Sequence, residues 1–212
     1  MSRPRRTPLD PSDGLMGDLL DEVAPWAGDR VLLTGTGTSD RLPFPDASFD
    51  GAVSLHTLET VSDRGGALSE LRRVVHPGGR LAVAVWGPLD ENPAFSALAD
   101  SLYRFGGVRA AAAVHWLSSL SRPDDLRALL SEAGFDQVRV RRRTAAPEIP
   151  SMDALLGWFL GTFPIGAAIR SLPIDARGGI TADLARSLGP SAAQGIVFTT
   201  DVHAALAQHT AA

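Results

Sequence analysis

The chain has 212 residues, a formal net charge of -4, and 44% hydrophobic and 21% charged residues, which places it among globular chains long enough to close one core. It holds no cysteine, and all 20 of its basic residues are arginine. That excludes disulfides, thiolate zinc sites, iron–sulfur clusters, a cysteine nucleophile, Schiff-base chemistry and a P-loop lysine.

The mildly acidic balance argues against nucleic acid as a partner. Arg3, Arg5 and Arg6 precede Thr7-Pro8-Leu9-Asp10-Pro11, with no apolar core for a signal peptide. The most apolar stretch, 154–169, is interrupted by Pro164 and is short for a bilayer span. A cytoplasmic protein without membrane contact is expected.

In chain order, Leu15, Leu19, Leu20 and Val23 have the spacing of one helix face over residues 13–25. Residues 30–34 are a short apolar run that ends in Gly35-Thr36-Gly37, a strand feeding a glycine turn. Residues 42–48 are a Pro-rich loop, and 49–55 a second strand. Residues 63–75 are amphipathic through Ala67, Leu68, Leu71, Val74 and Val75. Pro77-Gly78-Gly79 follows, and 80–86 reads as a third buried strand. Strand, helix, glycine turn and strand make a βαβ crossover of a parallel sheet. Helices are predicted over 92–105 and 123–133, the second stopped by Gly134. Residues 137–143 alternate as an edge strand, 150–190 are mostly helical, and 195–207 supply a closing strand. The chain is expected to be one domain over 1–212, with a helical insertion at 144–194.

Three stretches in this order resemble class I S-adenosylmethionine-dependent methyltransferases that act on small molecules. They are Val31–Ser39, then Leu42–Asp50 with Ala67–Gly79 at its proper distance, and then the segment PDDLRALLSEAGFDQVRV. The likeness covers roughly residues 14–143. It implies an α/β, three-layer Rossmann-like sheet with a helical insertion before the last strand. Gly35 and Gly37 fall where the family's glycine loop approaches the cofactor. Leu33 stands at that family's acidic position and Ser39 at its third glycine.

Only Thr38, Ser39, Asp40 and Arg41 lie between Gly37 and Leu42, where the family places two helices and its second and third strands. Two strand–helix units need on the order of 40 residues, whereas four extended residues reach about 14 Å. The resemblance therefore implies a sheet shortened by those two strands, with its first strand at an edge. Such an edge needs covering, either by the helix at 13–24 or by a second copy of the chain in a homodimer.

In the family the missing interval grips the nucleoside. The expectation is therefore that S-adenosylmethionine binding is lost, that no cofactor is used, and that Gly35 and Gly37 are vestigial. A small apolar molecule, such as a secondary metabolite, would undergo cyclisation, dehydration or isomerisation. Two alternatives stay open: a genuine S-adenosylmethionine-dependent small-molecule methyltransferase, and a non-catalytic partner protein.

Candidate catalytic residues are His56 and Glu59, three apart after the second strand, and His115. Histidine titrates near neutrality and a carboxylate beside it helps it move protons. Asp40 could face the same cleft. Trp86, Tyr103, Trp116, Trp158, Phe159 and Phe163 are candidates for an apolar substrate wall. Arg139, Arg141 and Arg143 share one strand face and Arg142 the other. There is no G-x-S-x-G, no H-E-x-x-H and no grouping of metal ligands in the sequence.

Overall fold

The computed structural model describes residues 17, 19, 21, 30–34, 41–189 and 196–210. Among these residues the main sheet has five strands in the order β1-β2-β3-β7-β4. They are β1 (Val31–Thr34), β2 (Phe49–Leu55), β3 (Val75–Trp86), β4 (Asp136–Ala145) and β7 (Thr200–Gln208). β1, β2 and β3 run parallel, while β7 is antiparallel to both β3 and β4. Two short strands, β5 (Glu148–Ile149) and β6 (Ile196–Val197), form a separate ribbon. The α-helices α1 (Arg64–Val74), α2 (Pro93–Leu117), α3 (Pro123–Glu132), α4 (Met152–Gly161), α5 (Ile165–Arg170) and α6 (Ile174–Leu188) and a 3-10 turn at Leu89–Glu91 are also described.

The central strands are nearly continuous apolar runs because both faces of the sheet are covered. The pleat sends alternate residues to opposite faces. Leu81, Val83 and Val85 of β3 join Leu68, Leu71, Leu126 and Leu130 of α1 and α3 in one cluster. Ala82 and Ala84 face the other way and pack with Val53, Ala204 and Leu19. Most of the predicted helix at 13–24 lies outside the described residues. Leu19 itself is buried on the sheet face in the cluster with Val53, Ala82, Ala84 and Ala204, against which Val31 of β1 also packs.

The Asp63 side chain caps α1 by accepting the Gly66 N–H at 2.8 Å. The helix ends at Val74 and β3 begins at Val75, so Pro77-Gly78-Gly79 belongs to the start of the strand and does not separate the two. Gly79 is required there, since a Cβ would stand 2.7 Å from the Asp50 carbonyl oxygen and 2.9 Å from that of His76.

The loop before β2 is held by one arginine. The Arg73 guanidinium donates to Glu70 Oε1 and Oε2, Asp46 Oδ1 and the carbonyls of Leu42 and Phe44. Glu70 Oε2 also accepts the Leu42 N–H at 2.9 Å. Hydrogen bonding from Arg73 holds the Glu70 carboxyl down to about 2, against burial.

α2 continues past the predicted end at residue 105. Gly107, at φ 71° and ψ -171°, kinks it and lets the chain resume a helix to Leu117. Glycine alone makes this conformation inexpensive. α2 packs on α6, and Asp183, buried between them, bonds Ser101 Oγ at 2.9 Å, Arg186 Nη2 at 2.7 Å and Arg104. The Ser101 hydroxyl first, then the two arginines, hold the Asp183 carboxyl below its usual range. α4, α5 and α6 occupy the region of the predicted helical insertion. Among the described residues no helix is long and apolar enough to cross a membrane.

Candidate functional site

The parallel strands β1, β2 and β3 end on one side of the sheet, the place where open α/β sheets receive ligands. Just beyond β2 the chain turns through His56 at φ 51°, a left-handed conformation that histidine adopts more readily than most residues. The His56 N–H donates to the Ala84 carbonyl at 2.9 Å, which ties the turn to β3. Thr57 Oγ1 reaches the Thr34 carbonyl at 3.4 Å and so joins the turn to β1.

This turn carries a buried acid–base pair. Glu59 has no exposed surface. Its Oε1 accepts the Trp86 N–H at 2.8 Å and lies 3.3 Å from His56 Nδ1. The imidazole stacks on the Trp86 indole with centroids 3.9 Å apart and planes 6° from parallel. Glu59 Oε2 and His56 Nε2 are buried and have no hydrogen-bond partner among the described residues. A buried, unpaired polar atom costs about 1–3 kcal/mol, so each of these two atoms marks a place where a polar partner is favoured.

Aromatic rings continue from the pair into the helices. Trp86 meets Phe95 at 4.8 Å and Trp158 at 6.1 Å, and Trp158 meets Phe159 at 5.2 Å. His56, Glu59, Trp86 and Trp158 are thus brought together. Phe159 is fully buried and offers a ligand no surface. Trp116 and Phe163 are exposed.

His115 lies apart from the pair. It is exposed on α2 and lines a cavity of about 490 Å³ with Leu89, Asp90, Ser96, Asp100 and Tyr103. That volume suits a small molecule. Asp90 and Asp100 were not singled out from the sequence, although Asp100 and Tyr103 share a helix face at i,i+3. Beside β1, Thr34, Leu42 and Thr57 enclose only a void of about 10 Å³. Gly35, Gly37 and Asp40 lie outside the described residues.

Arg142 and His203 serve the framework. Arg142 pairs with Glu91 at 2.8 Å and with the buried Asp201, whose hydrogen bond raises the guanidinium above its usual range. His203 bonds the Ser121 carbonyl at 2.7 Å through Nε2. Among the described residues no group of three or more His, Asp or Glu could hold a metal ion.

Comparison with known proteins places this geometry. Residues 10–83 match the family described as Methyltransferase domain. The O-methyltransferase rstn1 of Aspergillus nomiae is 38% identical over 97 residues, 44% of this chain and 37% of that protein. The ubiquinone/menaquinone biosynthesis C-methyltransferase UbiE of Ralstonia nicotianae is 31% identical over 145 residues, 60% of this chain and 59% of that protein. The chain therefore spans about half the length of the curated relatives it matches. A solved structure assigned as a type II methyltransferase, from Anaeromyxobacter dehalogenans, aligns over 100% of both chains with a TM-score of 0.50 at 18% identity. That likeness shows the α/β Rossmann-like methyltransferase fold.

These matches correct two expectations: that no cofactor is used, and that the chain performs a cofactor-free cyclisation, dehydration or isomerisation. The match over residues 10–83 runs through the glycine turn and across the short interval, and the matching relatives are methyltransferases. The expectation took the short interval between Gly37 and Leu42 as the loss of the cofactor site, and the family match extends across that interval.

Proposed function

We propose, from the class I S-adenosylmethionine-dependent methyltransferase family to which this chain belongs, that it transfers a methyl group from S-adenosylmethionine to a small molecule. The observation that carries this reading is the family match across residues 10–83, a range that includes Gly35, Gly37, His56 and Glu59. The unpaired His56 Nε2 and Glu59 Oε2 at the strand ends fit a site that receives a polar ligand. Gly35 and Gly37 would hold the cofactor through their backbone, next to the Thr34 end of β1. When bound, the cofactor supplies an electrophilic methyl group on a sulfonium.

The chain's own residues hold the acceptor. The cavity of about 490 Å³ lined by Asp90, Asp100, Tyr103 and His115 gives it room. The buried Trp86 and the half-buried Trp158 pack between α2 and the acid–base pair, and Trp116 and Phe163 are the outer substrate-side candidates. The test is calorimetry with S-adenosylmethionine and its demethylated product, together with transfer of a labelled methyl group to a panel of small hydroxyl-, amine- and carbon-acid acceptors. Micromolar binding with label in one acceptor class is expected. Absence of binding would overturn the reading.

A further inference from the structure

We propose that the cavity at the kink of α2 recognises its small molecule by an ammonium group, held by Asp90, Asp100 and the ring of Tyr103. The inference rests on the methyl transfer proposed above only in calling that molecule the acceptor.

The cavity exists because α2 bends. Ser96, Asp100 and Tyr103 share one face of the helix, and Ala111 and His115 continue the stripe at four-residue steps. In a straight helix such a stripe is a convex ridge. Gly107 stands in the same stripe, between Tyr103 and Ala111, and its φ of 71° breaks the helix there. Both halves of α2 then line one cavity of about 490 Å³. The turn at Leu89–Glu91, just after β3, supplies the remaining wall through Leu89 and Asp90.

The lining carries two carboxylates and no arginine, in a chain with 20 arginines. Asp90 and Asp100 are exposed and have no hydrogen-bond or ion-pair partner among the described residues. The arginines nearest to them in sequence or in pairing are committed elsewhere. Arg104, four residues after Asp100 and its natural partner on the helix, turns instead to the buried Asp183. Arg142 takes Glu91, the neighbour of Asp90, at 2.8 Å.

Two carboxylates in one concave site repel an anion and leave a neutral polar group without a charge to pair. A cation meets both. Tyr103 is 61% exposed and offers ring surface on which an ammonium group gains further. Ser96 adds a hydroxyl that accepts an N–H. Leu89, Ala99 and Ala111 give the rest of the molecule an apolar surface. A protonated amine has no lone pair to receive a methyl group, so the ammonium is a handle and the reacting atom lies elsewhere on the acceptor.

The test uses three probes of one shape on the whole chain without cofactor: phenethylammonium, 2-phenylethanol and 3-phenylpropionate, with tetramethylammonium as a compact fourth. Amide spectra at neutral pH locate each probe, and the shifts give its affinity. The two cations should move the signals of Ser96, Asp100, Tyr103 and His115, and phenethylammonium should bind about tenfold more tightly than the alcohol. The carboxylate should not bind. Added salt should weaken the cations and leave the alcohol unchanged. In the folded double variant Asp90→Asn, Asp100→Asn the preference for phenethylammonium over the alcohol should vanish. Equal binding of all three shapes, no shift with either cation at millimolar concentration, or an undiminished preference in the double variant would overturn the proposal. Failure of the methyltransferase reading is separate: it is the loss of S-adenosylmethionine binding in calorimetry, with the ammonium preference intact.

Discussion

Glu59 Oε1 accepts the backbone N–H of Trp86 at 2.8 Å, so a carboxylate with no exposed surface joins the turn after β2 to the end of β3, 27 residues later. Removing it strands a buried donor. Glu59→Ala should cost about 1–3 kcal/mol of stability, and Glu59→Gln, whose amide oxygen still accepts, should cost less. Urea unfolding at neutral pH reads both; equal midpoints for Glu59→Ala and wild type would refute the role of this bond.

Glu70 sets an acid limit on the loop that precedes β2. Arg73 holds its carboxyl near 2, below the ordinary 4.5. A depressed folded value means that the unfolded chain takes up the proton first as pH falls. The contribution is therefore complete above about pH 4.5 and is lost as pH drops toward 2. In Glu70→Gln the change in unfolding midpoint between pH 6 and pH 3 should be smaller than in wild type. An unchanged pH dependence would sink this account.

Two glycines should respond oppositely to alanine. At Gly87 a Cβ would run into Asp201, whose carboxylate oxygen and main chain both crowd it, so Gly87→Ala should destabilise by about 1–3 kcal/mol. At Gly157, inside α4 and exposed, nothing lies within 4 Å of the added methyl. Gly157→Ala should stabilise by about 0.5–1 kcal/mol, because alanine loses less backbone freedom in a helix. Thermal unfolding of the two variants gives the signs directly.

The two phenylalanines of the helical layer differ in the same way. Phe159 is fully buried and Phe163 is 55% exposed. Phe159→Ala should cost about 3–5 kcal/mol, whereas Phe163→Ala should stay within about 0.5 kcal/mol. Similar losses in guanidinium unfolding would show that the layer packs differently.

Much of the architecture is legible because it is written in local periodicities. The apolar runs at 30–34, 49–55 and 80–86 become β1, β2 and the body of β3, and the amphipathic stretch at 63–75 becomes α1. Other features escape a local reading. Residue 105 looks like the end of a helix, yet Gly107 allows α2 to bend and continue to Leu117. Trp158, Phe159 and Phe163 look alike as a cluster, but the packing of α2 against α4 gives one half-buried wall, one sealed core residue and one exposed ring.

By itself the sequence determines the strand and helix order, the methyltransferase resemblance, the exclusion of cysteine and lysine chemistry, and the nomination of His56 and Glu59. Each of these is a property of residue type or of spacing within one segment. Tertiary structure alone decides that Trp86 stacks on His56 and anchors Glu59, that His115 belongs to a separate cavity, and that one nitrogen and one oxygen of the pair are left unpaired. Those outcomes depend on which strand ends meet in space. The parallel register of β2 and β3 joins residues that no window along the chain would place together.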